Sequence, residues 1–173
     1  FATVFAEGKT PAQVVSIVER MREHNSNVLA TRCSPETVEA VIGANDDAVH
    51  HEAARCVSIT VNPPEMNDGY IAIACAGTSD IDVAEEAAVT AGFMGNRIER
   101  VYDIGVAGLH RLLGQHSVLS EANCIVVCAG MEGALASVVA RLVNSPVIAV
   151  PTSVGYGASF NGLSALLTML NSY

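Results

Sequence analysis

From Tyr70 to Leu170 one grammar repeats four times: a short apolar run, a turn of small residues, then a helical apolar period. The runs fall at 70–75, 98–102, 124–128 and 147–150. The third, Cys124-Ile125-Val126-Val127-Cys128, has no charge and is rich in β-branched residues, so it reads as a strand buried on both faces. Behind it, Leu135, Val138, Val139 and Leu142 recur at helical spacing. Four strand–turn–helix units in succession predict parallel strands joined by right-handed crossovers, a three-layer α/β/α sandwich. Open sheets of this kind take ligands at the carboxyl ends of their strands. The chemistry of the chain is therefore expected in its four turns.

The residues ahead of this region are less regular. Thr10-Pro11-Ala12-Gln13 is a capping box with proline at the first helical position, and Val14, Ile17, Val18 and Met21 then make one apolar face. Residues 28–31 read as a strand. Ser34-Pro35 opens a second helix, with Val38, Val41 and Ile42 expected inward and Gly43 expected to end it. Residues 44–55 are polar and alanine-rich, a helix or a loop, with His50-His51 on its surface. Residues 56–61 read as another strand. At 62–69 two prolines and a cluster of turn-formers break both regular periods. This divides the chain into a small α/β domain at 1–62 and a larger α/β domain at 63–173. The abrupt opening at Phe1 and the stop at Tyr173 behind an apolar helix read as cuts from something longer, so the first domain is expected to lack its start and the second its end.

With 173 residues the chain is long enough for one core and a small appended domain. Half of its residues are apolar and only 16% charged, yet no uninterrupted apolar run reaches membrane-spanning length. A soluble homo-oligomer that hides apolar surface is the expectation. The net charge of −9 argues against a nucleic-acid or anionic-membrane partner. Five cysteines without a C-x-x-C pair suit reduced thiols in the cytoplasm. The five histidines lack the spacing of zinc ligands.

The turns themselves carry open alternatives. Gly77-Thr78-Ser79-Asp80 precedes a helix, where free amides hold an anion or where Ser79 or Asp80 simply caps. Past Gly105-Val106-Ala107-Gly108, His110 is able to move a proton and Arg111 to pair with a carboxylate or phosphate; a solvated basic pair is the plain alternative. Glu132, between Gly130 and Gly133, is either a catalytic carboxylate or a partner for a helix dipole. The 151–162 loop is too long for a connector. Its Tyr156 and Phe160 would stack on a flat ring or anchor a subunit contact.

In these turns the chain from Tyr70 to Leu170 resembles the PurE superfamily of aminoimidazole ribonucleotide carboxylases and mutases, a Rossmann-like fold. Gly77-Thr78-Ser79-Asp80 stands where that superfamily holds its substrate phosphate, and His110-Arg111 where it carries its catalytic histidine. The runs Ala76-Gly77-Thr78-Ser79-Asp80, Tyr102 to Leu112, Ala129-Gly130-Met131-Glu132-Gly133-Ala134-Leu135 and Pro151 to Phe160 resemble the LarB family more closely still, as does Phe5-Ala6-Glu7-Gly8-Lys9-Thr10-Pro11. That resemblance spans essentially the whole chain. It implies a synthase of nickel-pincer cofactor biosynthesis, which serves lactate racemase maturation. The implied reaction carboxylates the pyridinium ring of nicotinic acid adenine dinucleotide at C5 with CO2 or bicarbonate and hydrolyses its phosphoanhydride, releasing AMP.

The family's implied chemistry adds a thiolate to the ring, makes C5 nucleophilic and then restores the aromatic ring. Glu132 would be the base for the C5 proton and His110 a proton carrier. The resemblance implies substrate or phosphate binding by Gly77, Thr78, Ser79, Asp80, Asp103, Gly105, Gly108, Arg111, Gly130, Met131, Gly133, Ser153, Gly155 and Tyr156, aided by magnesium, within a homo-octamer. One position departs from the family: Tyr173 follows Leu170-Asn171-Ser172 where the cysteine nucleophile is expected. A neutral phenol is a poor substitute for a thiolate, so the chain as written is expected to bind the dinucleotide without turning it over. The alternatives are a PurE-type carboxylase or mutase, for which a histidine in place of Glu132 would be expected, and an inactive nucleotide-binding module.

Overall fold

A computed structural model of the chain describes residues 2–172. It divides into two units, Phe1–Met66 with Val89–Gly95, and Asn67–Ala88 with Asn96–Tyr173. In the first, Thr10 accepts the Gln13 N–H at 3.3 Å while the Gln13 side chain accepts the Thr10 N–H at 2.9 Å, closing the box that starts α1 (Pro11–Glu23). The helix lays Val14 and Val18 into a core shared with β1 (Ala2–Phe5), β2 (Val28–Thr31) and β4 (Cys56–Ile59). These strands and β3 (Val49–His51) form a mixed sheet in the order β1-β2-β4-β3, with only the β1–β2 pair parallel.

Three expectations for this unit need correction. Residues 49–51 are neither helix nor loop but β3, an edge strand whose pairing with β4 outweighs its polar composition. His51 Nε2 lies 2.8 Å from Ser58 Oγ across that pair. On α2 (Pro35–Ala44) the buried stripe is Thr37, Val38 and Val41, and Ile42 turns outward to 39% exposure because it stands one position round the helix from Val41. Gly43 does not stop that helix. Asn45 does, its backbone extended and its side-chain amide donating to the Val41 carbonyl at 2.9 Å.

The second unit holds a four-stranded, wholly parallel sheet in the order β6-β5-β7-β8. Its strands are β5 (Ile71–Cys75), β6 (Ile98–Val101), β7 (Cys124–Ala129) and β8 (Val147–Pro151). Side chains alternate between faces. Ala72, Ala74, Ile125 and Val127 meet Leu112, Leu119, Leu135 and Val139 on one face, whereas Ile73, Cys75 and Cys128 meet Ala84 and Ala88 of α3 (Ile81–Phe93) on the other. The single helix expected around His110 is two short ones, α4 (Leu109–Gly114) and α5 (His116–Ser120), parted at Gln115. Helices α6 (Ala134–Leu142) and α7 (Leu163–Leu170) complete the unit. The α/β architecture with helices on both sheet faces is the one expected from the sequence.

Candidate functional site

At the carboxyl edge of the parallel sheet, three turns close around a cavity of about 170 Å³. Gly77, Ser79 and Asp80 come from the turn after β5, Gly105 and Val106 from the turn after β6, and Gly130, Met131 and Glu132 from the turn after β7. Val154, from the segment after β8, completes the wall. The sequence reading missed Val154, because an apolar residue in a loop carries no signal of its own. Its carbonyl accepts the Met131 N–H at 3.0 Å, which ties the last two segments together.

The turn after β7 is shaped by backbone conformation. Met131 has φ of 51° and Gly133 has φ of 69°, both in the left-handed region, so Glu132 is held between two reversed residues. The first residues of α6, Ala134 and Leu135, face the cavity, bringing a helix start to the same wall as the Glu132 carboxylate. That side chain is exposed, and none of the described residues bonds or pairs with it. It is free to act on whatever enters.

The other carboxylates here are committed. Asp80 is buried, accepting the Gly77 N–H at 3.1 Å on one oxygen and the Thr152 hydroxyl at 2.7 Å on the other. The Gly77 amide is thus spent inside the protein rather than held out to an anion. Asp103 pairs with Arg111 at 2.7 Å, and the guanidinium lies against Gly108. Arg111 is thus engaged by a carboxylate of its own chain, in a pair that stays half exposed. His110 is exposed on α4 and does not line the cavity, nor do Thr78, Asp103, Gly108, Arg111, Gly133, Ser153, Gly155 or Tyr156. Tyr156 is 82% exposed.

Residues 3–62 match the family described as LarB/PurE-like N-terminal domain, and residues 70–172 match the AIR carboxylase family. The chain belongs to the LarB family. It is similar to an uncharacterised protein of Methanocaldococcus jannaschii, 37% identical over 177 residues that take in 98% of this chain and 68% of that protein. The parallel-sheet unit of this LarB-family chain is thus of the PurE-like, carboxylase type, preceded by the family's small mixed-sheet domain.

The thiolate and the magnesium site that the resemblance implies are not ready-made among the described residues. No cysteine lines the cavity. Burial pushes the Cys128 thiol up to about 12 and the Cys75 thiol above its ordinary value, so neither is a ready thiolate. The family position of the nucleophile, Tyr173, lies outside the described residues. Magnesium does not find a ready-made cage either. No group of three acidic, histidine or cysteine side chains is gathered among the described residues, and Asp80 and Asp103 already have partners.

Proposed function

We propose that this LarB-family chain binds nicotinic acid adenine dinucleotide at the carboxyl edge of its parallel sheet and is built to carboxylate the pyridinium ring at C5. The observation that carries the reading is Glu132, a carboxylate with which none of the described residues bonds or pairs, in a cavity walled otherwise by glycines and alanines, by Ser79 and the committed Asp80, and by apolar side chains from Val106 to Val154. The cavity is smaller than the roughly 300–1,000 Å³ that encloses a drug-sized ligand. It encloses a part of the dinucleotide, not the whole.

The chemistry asks little more of these residues. A pyridinium carbon is too electron-poor to attack CO2. Addition of a thiolate to the ring gives a neutral dienamine, whose C5 then forms the new C–C bond. Glu132 accepts the C5 proton, the C–S bond breaks, and the thiolate leaves with its electron pair as aromaticity returns. Water then cleaves the phosphoanhydride, giving pyridinium-3,5-biscarboxylic acid mononucleotide and AMP. The thiolate belongs at position 173, where this chain carries tyrosine.

Calorimetry and mass spectrometry test both halves. The chain should bind nicotinic acid adenine dinucleotide, and Tyr173→Cys should then form a carboxylated mononucleotide and AMP from the dinucleotide and ¹³C-bicarbonate. Binding of aminoimidazole ribonucleotide with none of the dinucleotide would overturn the reading in favour of a PurE-type carboxylase. Dinucleotide binding without turnover by Tyr173→Cys would leave a nucleotide-binding module.

A further inference from the structure

Strands β5 and β8 are not neighbours in the sheet, because β7 runs between them. Yet the turn after one and the segment after the other are joined directly. Thr152, 3% exposed, donates its hydroxyl to Asp80 Oδ1 at 2.7 Å, and Asp80 is itself 4% exposed. The bond passes over the carboxyl end of β7, where Gly130 stands. A Cβ at Gly130 would lie 2.7 Å from Thr152 Oγ1 and would overlap the Val154 carbonyl oxygen. The Thr152 amide meanwhile donates to the Ala129 carbonyl at 3.0 Å, fixing the residue on the β7 side. The other Asp80 oxygen accepts the Gly77 N–H, so one carboxylate draws together two of the segments that close the cavity.

We infer that Thr152 is a positioning residue of the cavity: its hydroxyl fixes the Asp80 carboxylate, and through it the turn from Gly77 to Asp80. The inference rests on the cavity being the ligand site, as proposed above. Thr152 itself does not line the cavity, so its effect on a ligand passes through Asp80. A buried hydroxyl–carboxylate pair is costly to break from one side, since the oxygen left behind has lost water and gained nothing. Removing the hydroxyl therefore frees the turn while leaving every cavity-lining side chain in the sequence.

Two measurements test this, one of which needs no ligand. Hydrogen exchange at the Gly77 amide reads the clamp, and calorimetry with nicotinic acid adenine dinucleotide reads its consequence. Thr152→Val, which keeps the shape, should speed Gly77 exchange at least about tenfold beyond any change in the β5 amides and weaken binding about 10- to 100-fold. Thr152→Ser should bring both back to within about threefold of the parent. In an Asp80→Ala chain, which has no acceptor left for the hydroxyl, adding Thr152→Val should cost less than about twofold more. Exchange accelerated equally at Gly77 and throughout β5, or the same loss in both Asp80 backgrounds, would overturn the inference. A parent chain that does not bind the dinucleotide would remove the functional reading alone, and Gly77 exchange would still decide the clamp.

Discussion

At the scale of single residues, the turn after β7 separates a structural glutamate from a chemical one. As a dipole partner at the start of α6, Glu132 is worth about 0.3–1 kcal/mol. Glu132→Gln keeps the shape and removes the base. In a Tyr173→Cys chain it should lower the carboxylation rate roughly 10²- to 10⁴-fold, with dinucleotide affinity and urea midpoint little changed. Equal rates at matched folded fraction would return Glu132 to a structural role. The buried thiols give a second, pH-dependent expectation. Burial pushes Cys33 up to about 11 and Cys128 up to about 12. A thiol raised in the folded state contributes its stability in full below its unfolded value, about 8.5, and loses it as pH climbs to the folded value. The urea midpoint should hold level through neutral pH on this account and fall between about pH 9 and 12. A midpoint unchanged to the top of that window would contradict the burial of these groups.

At the scale of elements, the strongest local codes are the ones legible in the sequence. The Thr10–Gln13 box carries its own hydrogen-bond chemistry, and a helix start at Pro11 follows from four residues. Thr10→Ala should therefore cost about 0.5–2 kcal/mol in urea denaturation, with Thr10→Ser close to neutral. The buried strands β5 and β7 announce themselves through uninterrupted apolar runs. Strand β3 does not: Val49, His50 and His51 become a strand only because β4 supplies partners, and no local period records that. Ile42 fails for a related reason, since an apolar residue one position from the buried stripe reads the same as one within it. Within the site, glycine-bracketed Glu132 stands out in the sequence because Gly133 takes a reversed backbone and Gly130 has no room for a Cβ beneath the Val154 carbonyl. Val154 and Thr152 were not, because their places depend on the segment after β8 crossing over Gly130. The Asp103–Arg111 pair likewise joins residues eight apart, a spacing that no local period records.

At the scale of the whole molecule, the apolar composition leaves a trace on one helix. Leu163, Leu166, Leu167 and Leu170 recur at positions i, i+3, i+4 and i+7 of α7, yet they remain 48%, 40%, 51% and 71% exposed. A stripe at that spacing is the pattern of a face that packs on something. On α7 the inward side is already occupied by Ala165 and Met169, so the leucines are additional to the core. Phe160, just ahead of the helix, is 73% exposed. Monomers rarely leave contiguous apolar surface of more than a few hundred Å² in water, and each Å² withdrawn from it is worth about 25 cal/mol. The face is self-complementary in chemistry, which suits a second copy of the same chain in a closed assembly. Sedimentation velocity at micromolar concentration should show a homo-oligomer, with an octamer the size expected from the PurE-like resemblance. Leu167→Asp with Leu170→Asp places charges on the exposed stripe without touching Ala165. That double variant should shift the chain to smaller species while its far-ultraviolet circular dichroism stays that of the parent. A parent chain that sediments as a monomer would remove the assembly, and a double variant that stays fully assembled would move the contact away from α7.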